Sequence, residues 1–216
     1  MSTVQFSGSP CVVIGDIVGS RAATDRAALH RRVESVLRAA SAAVPVVQPW
    51  AVTVGDEFQG VFPTLGAALE GALRVRLSLL PRVDTRFGVG RGGRTVLDAD
   101  RGIEDGPAWW AARAALEGGE EGARRPALRL VRTAYRSAEP DPGQEAVNAA
   151  LACRDHLLGS MSTRSLRLLR GAVLEGATQA QLAESEGISR SAVSQRFRVD
   201  GIGVVLDAGE RLGGLP

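Results

Sequence analysis

Cys11-Val-Val-Ile-Gly-Asp16 sets four apolar residues in a row and closes on a Gly-Asp pair. A strand wetted on one side alternates in polarity, whereas an unbroken apolar run suits a central strand buried on both faces. This reading puts Asp16 at the end of such a strand. Downstream, Leu29, Val33, Val36, Leu37 and Ala40 recur at helical spacing after Thr24, a candidate N-cap, and the pattern stops near Pro45. Trp50, Val52 and Val54 alternate with other residues, Gly55-Asp56 supplies turn chemistry, and Phe58, Gly60 and Phe62 alternate again, which predicts a β-hairpin. Thr64 can cap a second helix with Leu65, Leu69, Leu73, Leu77 and Leu80 along one face, interrupted by Pro81. Phe87 and Val89 predict another strand, Gly90 to Gly93 break it, and Gly106-Pro107 opens a third helix through Leu116. The order strand, helix, hairpin, helix, strand, helix points to an α/β (α+β) fold.

Glu117 to Pro126 lacks large apolar residues and reads as an exposed loop. Ala127 to Tyr135 reads as a further strand, with Leu128, Leu130 and Thr133 facing inward. Glu139-Pro-Asp-Pro-Gly143 is the strongest boundary signal, which divides the chain into an α/β domain at 1–138, a linker at 139–143 and a helical domain at 144–216. Helices are expected over Glu145 to Leu158 and Arg164 to Leu174.

With 216 residues the chain can bury a core without metal or disulfide staples. Cys11 and Cys153 are too far apart to suggest a metal or redox motif, and both are expected to be reduced. No stretch approaches the roughly 18 apolar residues of a membrane span, and Met1 to Pro10 has no signal-peptide pattern, so the expected location is cytoplasmic. The formal net charge of +2 does not announce a nucleic-acid binder. All basic residues other than the two histidines are arginine, a bias that composition explains as readily as phosphate binding does. His30 and His156 are isolated and suggest no histidine-based site.

Thr178 to Phe197 carries a more specific pattern. Thr178 can cap a first helix, Leu182 and Ala183 allow close helix crossing, Gly187 makes a turn, and Ser189 can cap a second helix held inward by Val193 and Phe197. These are the demands of a helix-turn-helix. Its outward residues, Ser189, Arg190, Ser191, Ser194, Gln195 and Arg198, are the expected contacts to double-stranded DNA. The competing reading is a helical hairpin used for packing or for a protein partner.

The second candidate site is acidic. Asp16 at a strand end and Asp56-Glu57 in the next hairpin can converge at one sheet edge and hold Mg²⁺ or Mn²⁺. Gly15, Gly19 and Gly55 would then let the backbone approach a phosphate closely, with Ser20 and Arg21 as donors, although Gly-Asp pairs also serve simply as turns.

Gly15-Asp-Ile-Val-Gly-Ser-Arg21, Thr53-Val-Gly-Asp-Glu-Phe-Gln-Gly60 and Asp105-Gly-Pro-Ala-Trp-Trp-Ala-Ala-Arg113 resemble the SatD family, bacterial proteins of poorly defined function. The same blocks, across Cys11 to Leu116, resemble the palm-like domain of class III nucleotidyl cyclases and GGDEF diguanylate cyclases. That resemblance implies a ferredoxin-like, palm-like sheet with metal at Asp16 and Asp56, a phosphate loop in Asp16-Ile17-Val-Gly19, and a purine nucleotide reached by Arg113. It also shows departures. Trp110 stands where the cyclases place a catalytic Asn, Arg113 is displaced by one residue, which turns a helical side chain by about 100°, and Val54 replaces a glycine. Nucleotide binding is therefore expected in preference to cyclisation. The leading expectation is a nucleotide- and magnesium-responsive DNA-binding regulator able to form a homodimer. Its alternatives are an active nucleotidyl transferase or phosphohydrolase with accessory helices, and an empty palm used for dimerisation.

Overall fold

The computed structural model describes residues 9–20, 24–98 and 102–216. Strand β1 (Cys11–Ile17) is the centre of a five-stranded sheet with β2 (Gln48–Val52), β3 (Phe58–Phe62), β4 (Thr85–Arg91) and β7 (Thr133–Ser137), in the order β2-β3-β1-β4-β7. β1 runs antiparallel to both neighbours, with Val13 opposite Gly60 and Val89, and β7 is added parallel to β4. Helices α1 (Arg26–Ala43) and α2 (Leu65–Leu79) join the strands of this α+β fold, and α3 (Pro107–Gly122) follows β4.

The apolar run of β1 is explained by what covers it. Cys11, Val13 and Ile17 pack with Val33 and Leu37 of α1 and Leu69 of α2, while Val12 and Ile14 face Ala108, Trp109, Ala112 and Leu116 of α3. Adjacent strand residues point to opposite faces, so two covered faces demand consecutive apolar side chains. The α3 backbone lies directly on β4: a Cβ on Gly88 or Gly90 would come within 2.1 Å of the carbonyl oxygen of Ala112 or Ala108.

Several details differ from expectation. Asp25, not Thr24, caps α1, its carboxylate accepting from the Ala28 N–H at 2.8 Å. The helix expected to stop at Leu116 continues to Gly122, where exposed polar residues occupy its outer face. The expected strand at Ala127–Tyr135 is a 3-10 turn at Pro126–Leu128 followed by β7, because pairing to β4 begins only at Thr133 opposite Phe87; Leu128 is left exposed. Between β4 and α3 the chain also forms a two-stranded ribbon, β5 (Thr95–Asp98) and β6 (Ile103–Asp105), which the glycine-rich sequence concealed.

The rest is helical: α4 (Gln144–Ser160), α5 (Thr163–Glu175), α6 (Gln179–Glu186), α7 (Arg190–Val199) and α8 (Ile202–Gly213). α4 lies along the outer edge of β7 and meets its backbone with side chains. Asp155 accepts from the Thr133 N–H at 2.6 Å, Asn148 accepts from the Tyr135 N–H at 2.8 Å and donates to its carbonyl at 2.9 Å, and Gln144 accepts from the Ser137 N–H at 2.9 Å. Residues 144, 148 and 155 share one helix face. α2 contributes to both halves: Leu69 packs in the sheet core, whereas Leu73 and Leu77 pack with Leu158, Leu168, Val193 and Val205. α8 returns along α2, where a Cβ on Gly66 would come within 2.1 Å of the Gly213 carbonyl oxygen.

Candidate functional site

β1, the β2–β3 turn and α3 bring four of the sequence-predicted residues to one end of the sheet. Asp16 sits opposite Arg86 in the β1–β4 register, and the two side chains form a bidentate pair at 2.9 and 2.9 Å. Glu120 of α3 touches the same guanidinium at 3.1 Å. Glu57, just after the turn, is held by Arg113 of α3 at 2.6 and 2.8 Å. Asp56 is half-buried and lines a cavity of about 30 Å³ together with Ile17, Ser20 and Gly55. Burial raises the Asp16 carboxyl above its ordinary pKa; Arg86 opposes this, and the neighbouring Asp56 charge adds to the rise. Hydrogen bonds to Glu57 hold the Arg113 pKa above its ordinary value.

The three carboxylates therefore approach the same edge without forming the expected three-oxygen cage. Among the described residues no three Asp, Glu, His or Cys side chains are grouped as metal ligands. Asp16 and Glu57 face arginines instead. Gly15 also departs from its expected role: a Cβ there would lie 2.5 Å from the Phe58 ring, so the glycine makes room for aromatic packing rather than for a phosphate. Ile17 is part of the core. Gly19 and Gly55 have φ of 70° and 66°, and Gly55 forms the turn in which the Glu57 N–H donates to the Val54 carbonyl. Arg21 lies outside the described residues. Trp109 is packed in the core, while Trp110 is exposed and donates from its indole to Asp105 at 2.8 Å.

Arg86 and Glu120 were not among the residues singled out. The pairing of β1 with β4 makes Arg86 the neighbour of Asp16, and no local pattern announces a partner 70 residues away.

In the helical C-terminal part α6 and α7 form a tight pair. Thr178 and Gln181 cap α6 reciprocally, Gly187 turns the chain at φ 62°, and Ser189 accepts from the Ala192 N–H to start α7. Val193 is fully buried and Phe197 packs beside the same cluster. This anchoring leaves Ser189, Arg190, Ser191, Gln195 and Arg198 exposed, with Ser194 half-exposed. Ser189 and Ser191 share a hydrogen bond at 2.9 Å; Arg190, Gln195 and Arg198 have no side-chain hydrogen bond or ion pair among the described residues. Arg196, by contrast, is tied down by Asp200 at 3.1 Å and Ser165 at 3.3 Å.

The family model for SatD matches residues 11–211, spanning both the acidic edge and the α6–α7 pair. The chain belongs to the SatD family. No curated protein and no solved structure matches this SatD-family chain. Among its described residues no helix is long and apolar enough to cross a membrane.

Proposed function

We propose that this SatD-family protein is a cytoplasmic DNA-binding regulator whose α6–α7 pair acts as a helix-turn-helix, with α7 entering the major groove of double-stranded DNA. The observation that carries this reading is the contrast along α7. Val193 fixes the inner face, Arg196 is committed to an internal ion pair, and Arg190, Gln195 and Arg198 keep their donors free on the outer face. Arginine and amide side chains are the groups that read phosphates and purine edges there. Titrating salt against binding to a labelled duplex tests the reading: affinity through phosphates falls steeply as salt rises, and absence of salt-sensitive binding to any duplex defeats it.

For the α/β half we propose a cyclase-like domain that binds a purine nucleotide with Mg²⁺ and biases DNA affinity, within a homodimer. Asp16 and Asp56 lie within electrostatic reach of each other, and Gly19 and Gly55 turn the backbone beside them. Asp16 would hold the metal after exchanging Arg86 for it, and Asp56 would supply the second carboxylate; the freed Arg86 and Arg113 would meet the phosphates. The pairing of Asp16 with Arg86 and of Glu57 with Arg113, which leaves neither carboxylate free, favours sensing over turnover. Incubation with nucleoside triphosphates and Mg²⁺ followed by chromatography separates the two: a chemically unchanged pool with thermal stabilisation supports a sensor, whereas product indicates a nucleotidyl transferase or phosphohydrolase. If neither stabilisation nor product is seen, the palm serves only as a scaffold for association.

A further inference from the structure

A cavity of about 390 Å³ lies where α2, α4, α5 and α8 meet, and none of its lining residues belongs to either candidate site described above. Leu69 and Leu73 of α2 and Val205 and Leu212 of α8 give it apolar walls, and Arg154 reaches it from α4. Volumes of this order suit small organic ligands, which are held mainly by apolar surface and oriented by a few polar groups.

Arg154 is the unusual member. Only 2 % of the residue is exposed, and its Nε has no hydrogen-bond partner. Its polar contacts among the described residues are a 3.4 Å hydrogen bond from Nη2 to Thr133 and a 3.7 Å approach of Nη2 to Asp155. Asp155 is already committed: one oxygen meets Arg76 at 2.9 Å, and the other accepts from the Arg132 and Thr133 amides at 2.8 and 2.6 Å. Burial also lowers the Arg154 pKa, as an undercompensated cation requires. A buried charge without a full set of partners is costly, and an anion would offset that cost.

We propose that this cavity binds a small organic monocarboxylate, its carboxylate on Arg154 and its apolar body against Leu69, Leu73, Val205 and Leu212. A carboxylate offers two acceptors in the plane of a guanidinium. Glu70 and Glu210 at the same cavity repel polyanions, which selects against phosphates and nucleotides; Arg74 nearby is already paired with Glu70 at 2.8 Å. The site adjoins α8, the helix that follows α7, so the ligand holds α2 and α8 together.

Octanoate serves as the probe in calorimetry with the full chain, octan-1-ol as the uncharged comparison and inorganic phosphate as the small polyanion. Octanoate is expected to bind one per chain, at least tenfold tighter than octan-1-ol, with phosphate showing no binding. Gly209→Leu places a side chain toward Leu73, whose nearest atom would be 3.9 Å from the new Cβ, and is expected to fill the space and abolish octanoate binding in a folded protein. Arg154→Met is expected to lose the preference for octanoate over the alcohol. No octanoate binding, equal uptake of acid and alcohol, tighter binding of phosphate, or octanoate binding that survives in folded Gly209→Leu overturns the proposal. These measurements involve neither DNA nor Mg²⁺, so their failure leaves the DNA and nucleotide readings untouched.

Discussion

Arg76 of α2 and Asp155 of α4 meet at 2.9 Å in the interior, with 1 % and 0 % of the two residues exposed. Arg76 also reaches Asp84 at 2.8 Å, and Asp84 in turn holds Arg132 at 2.7 Å, so one ion network joins α2, α4 and the approach to β7. Removing Asp155 leaves Arg76 and Arg154 short of an anion and the Arg132 and Thr133 amides without their acceptor. Asp155→Ala is expected to lower unfolding free energy by about 3–5 kcal/mol. Denaturant titration checks this, and a loss below about 1 kcal/mol would show that the network is dispensable.

Arg190→Ala and Arg198→Ala should leave thermal stability unchanged, since neither side chain is committed within the described protein. Each is expected to weaken duplex binding by about 1–3 kcal/mol if it reaches a base edge, or to reduce the slope of log affinity against log salt by about one if it contacts a phosphate. Anisotropy titrations at several salt concentrations distinguish these outcomes. Arg196→Ala should behave oppositely and cost stability first, because its side chain is shared between Asp200 and Ser165.

The packing of α3 on β4 predicts a contrast between two glycine substitutions. Gly90→Ala forces a Cβ to within 2.1 Å of the Ala108 carbonyl, and displacement of the helix is expected to cost at least about 1–3 kcal/mol. Gly118→Ala on the same helix meets open space and should gain about 0.5–1 kcal/mol from helix propensity. Paired melting curves of the two variants provide the comparison.

Thiol labelling should distinguish the two cysteines. Cys11 is buried and its pKa is pushed up to about 12 by burial, so it stays protonated; Cys153 is exposed. A maleimide under native conditions is expected to modify one thiol per chain and, after denaturation, two, as mass spectrometry would register.

Two aspartates carry opposite pH signatures. A hydrogen bond from the Tyr135 hydroxyl at 2.7 Å, aided by the Gly143 N–H, holds the Asp141 carboxyl below its ordinary value. Its stabilisation is present above the unfolded pKa of about 3.9 and is lost as pH falls through the lower folded value. Asp16 is raised chiefly by burial, so its ionisation opposes folding above its folded value, and that opposition disappears as pH falls below the unfolded one. Asp141→Asn should therefore flatten the acid limb of a stability–pH profile, while Asp16→Asn should not.

Much of the fold was legible because the signals were local. The apolar run at Cys11–Ile14, the Thr64 cap and the Gly187 turn each act within a few residues, and each lies where its chemistry requires. The missed features depend on partners distant in the chain. β7 starts at Thr133 because β4 offers Phe87 there, and Leu128 had no means of announcing that it lies before the pairing begins. At the acidic edge the sequence supplied the convergence of Asp16, Asp56 and Glu57 but not the arginines that face two of them. Gly15 misled for a related reason: a glycine required by Phe58 looks the same in sequence as one required by a phosphate.

The row of Gln144, Asn148 and Asp155 along β7 has a consequence for self-association. A bare sheet edge invites another chain to add a strand, but here the outward amides of Thr133, Tyr135 and Ser137 are already occupied by a helix. At the far edge β2 is short, contains Pro49 and has an irregular register against β3. Copies of this protein that meet should therefore do so through side chains rather than by lengthening the five-stranded sheet.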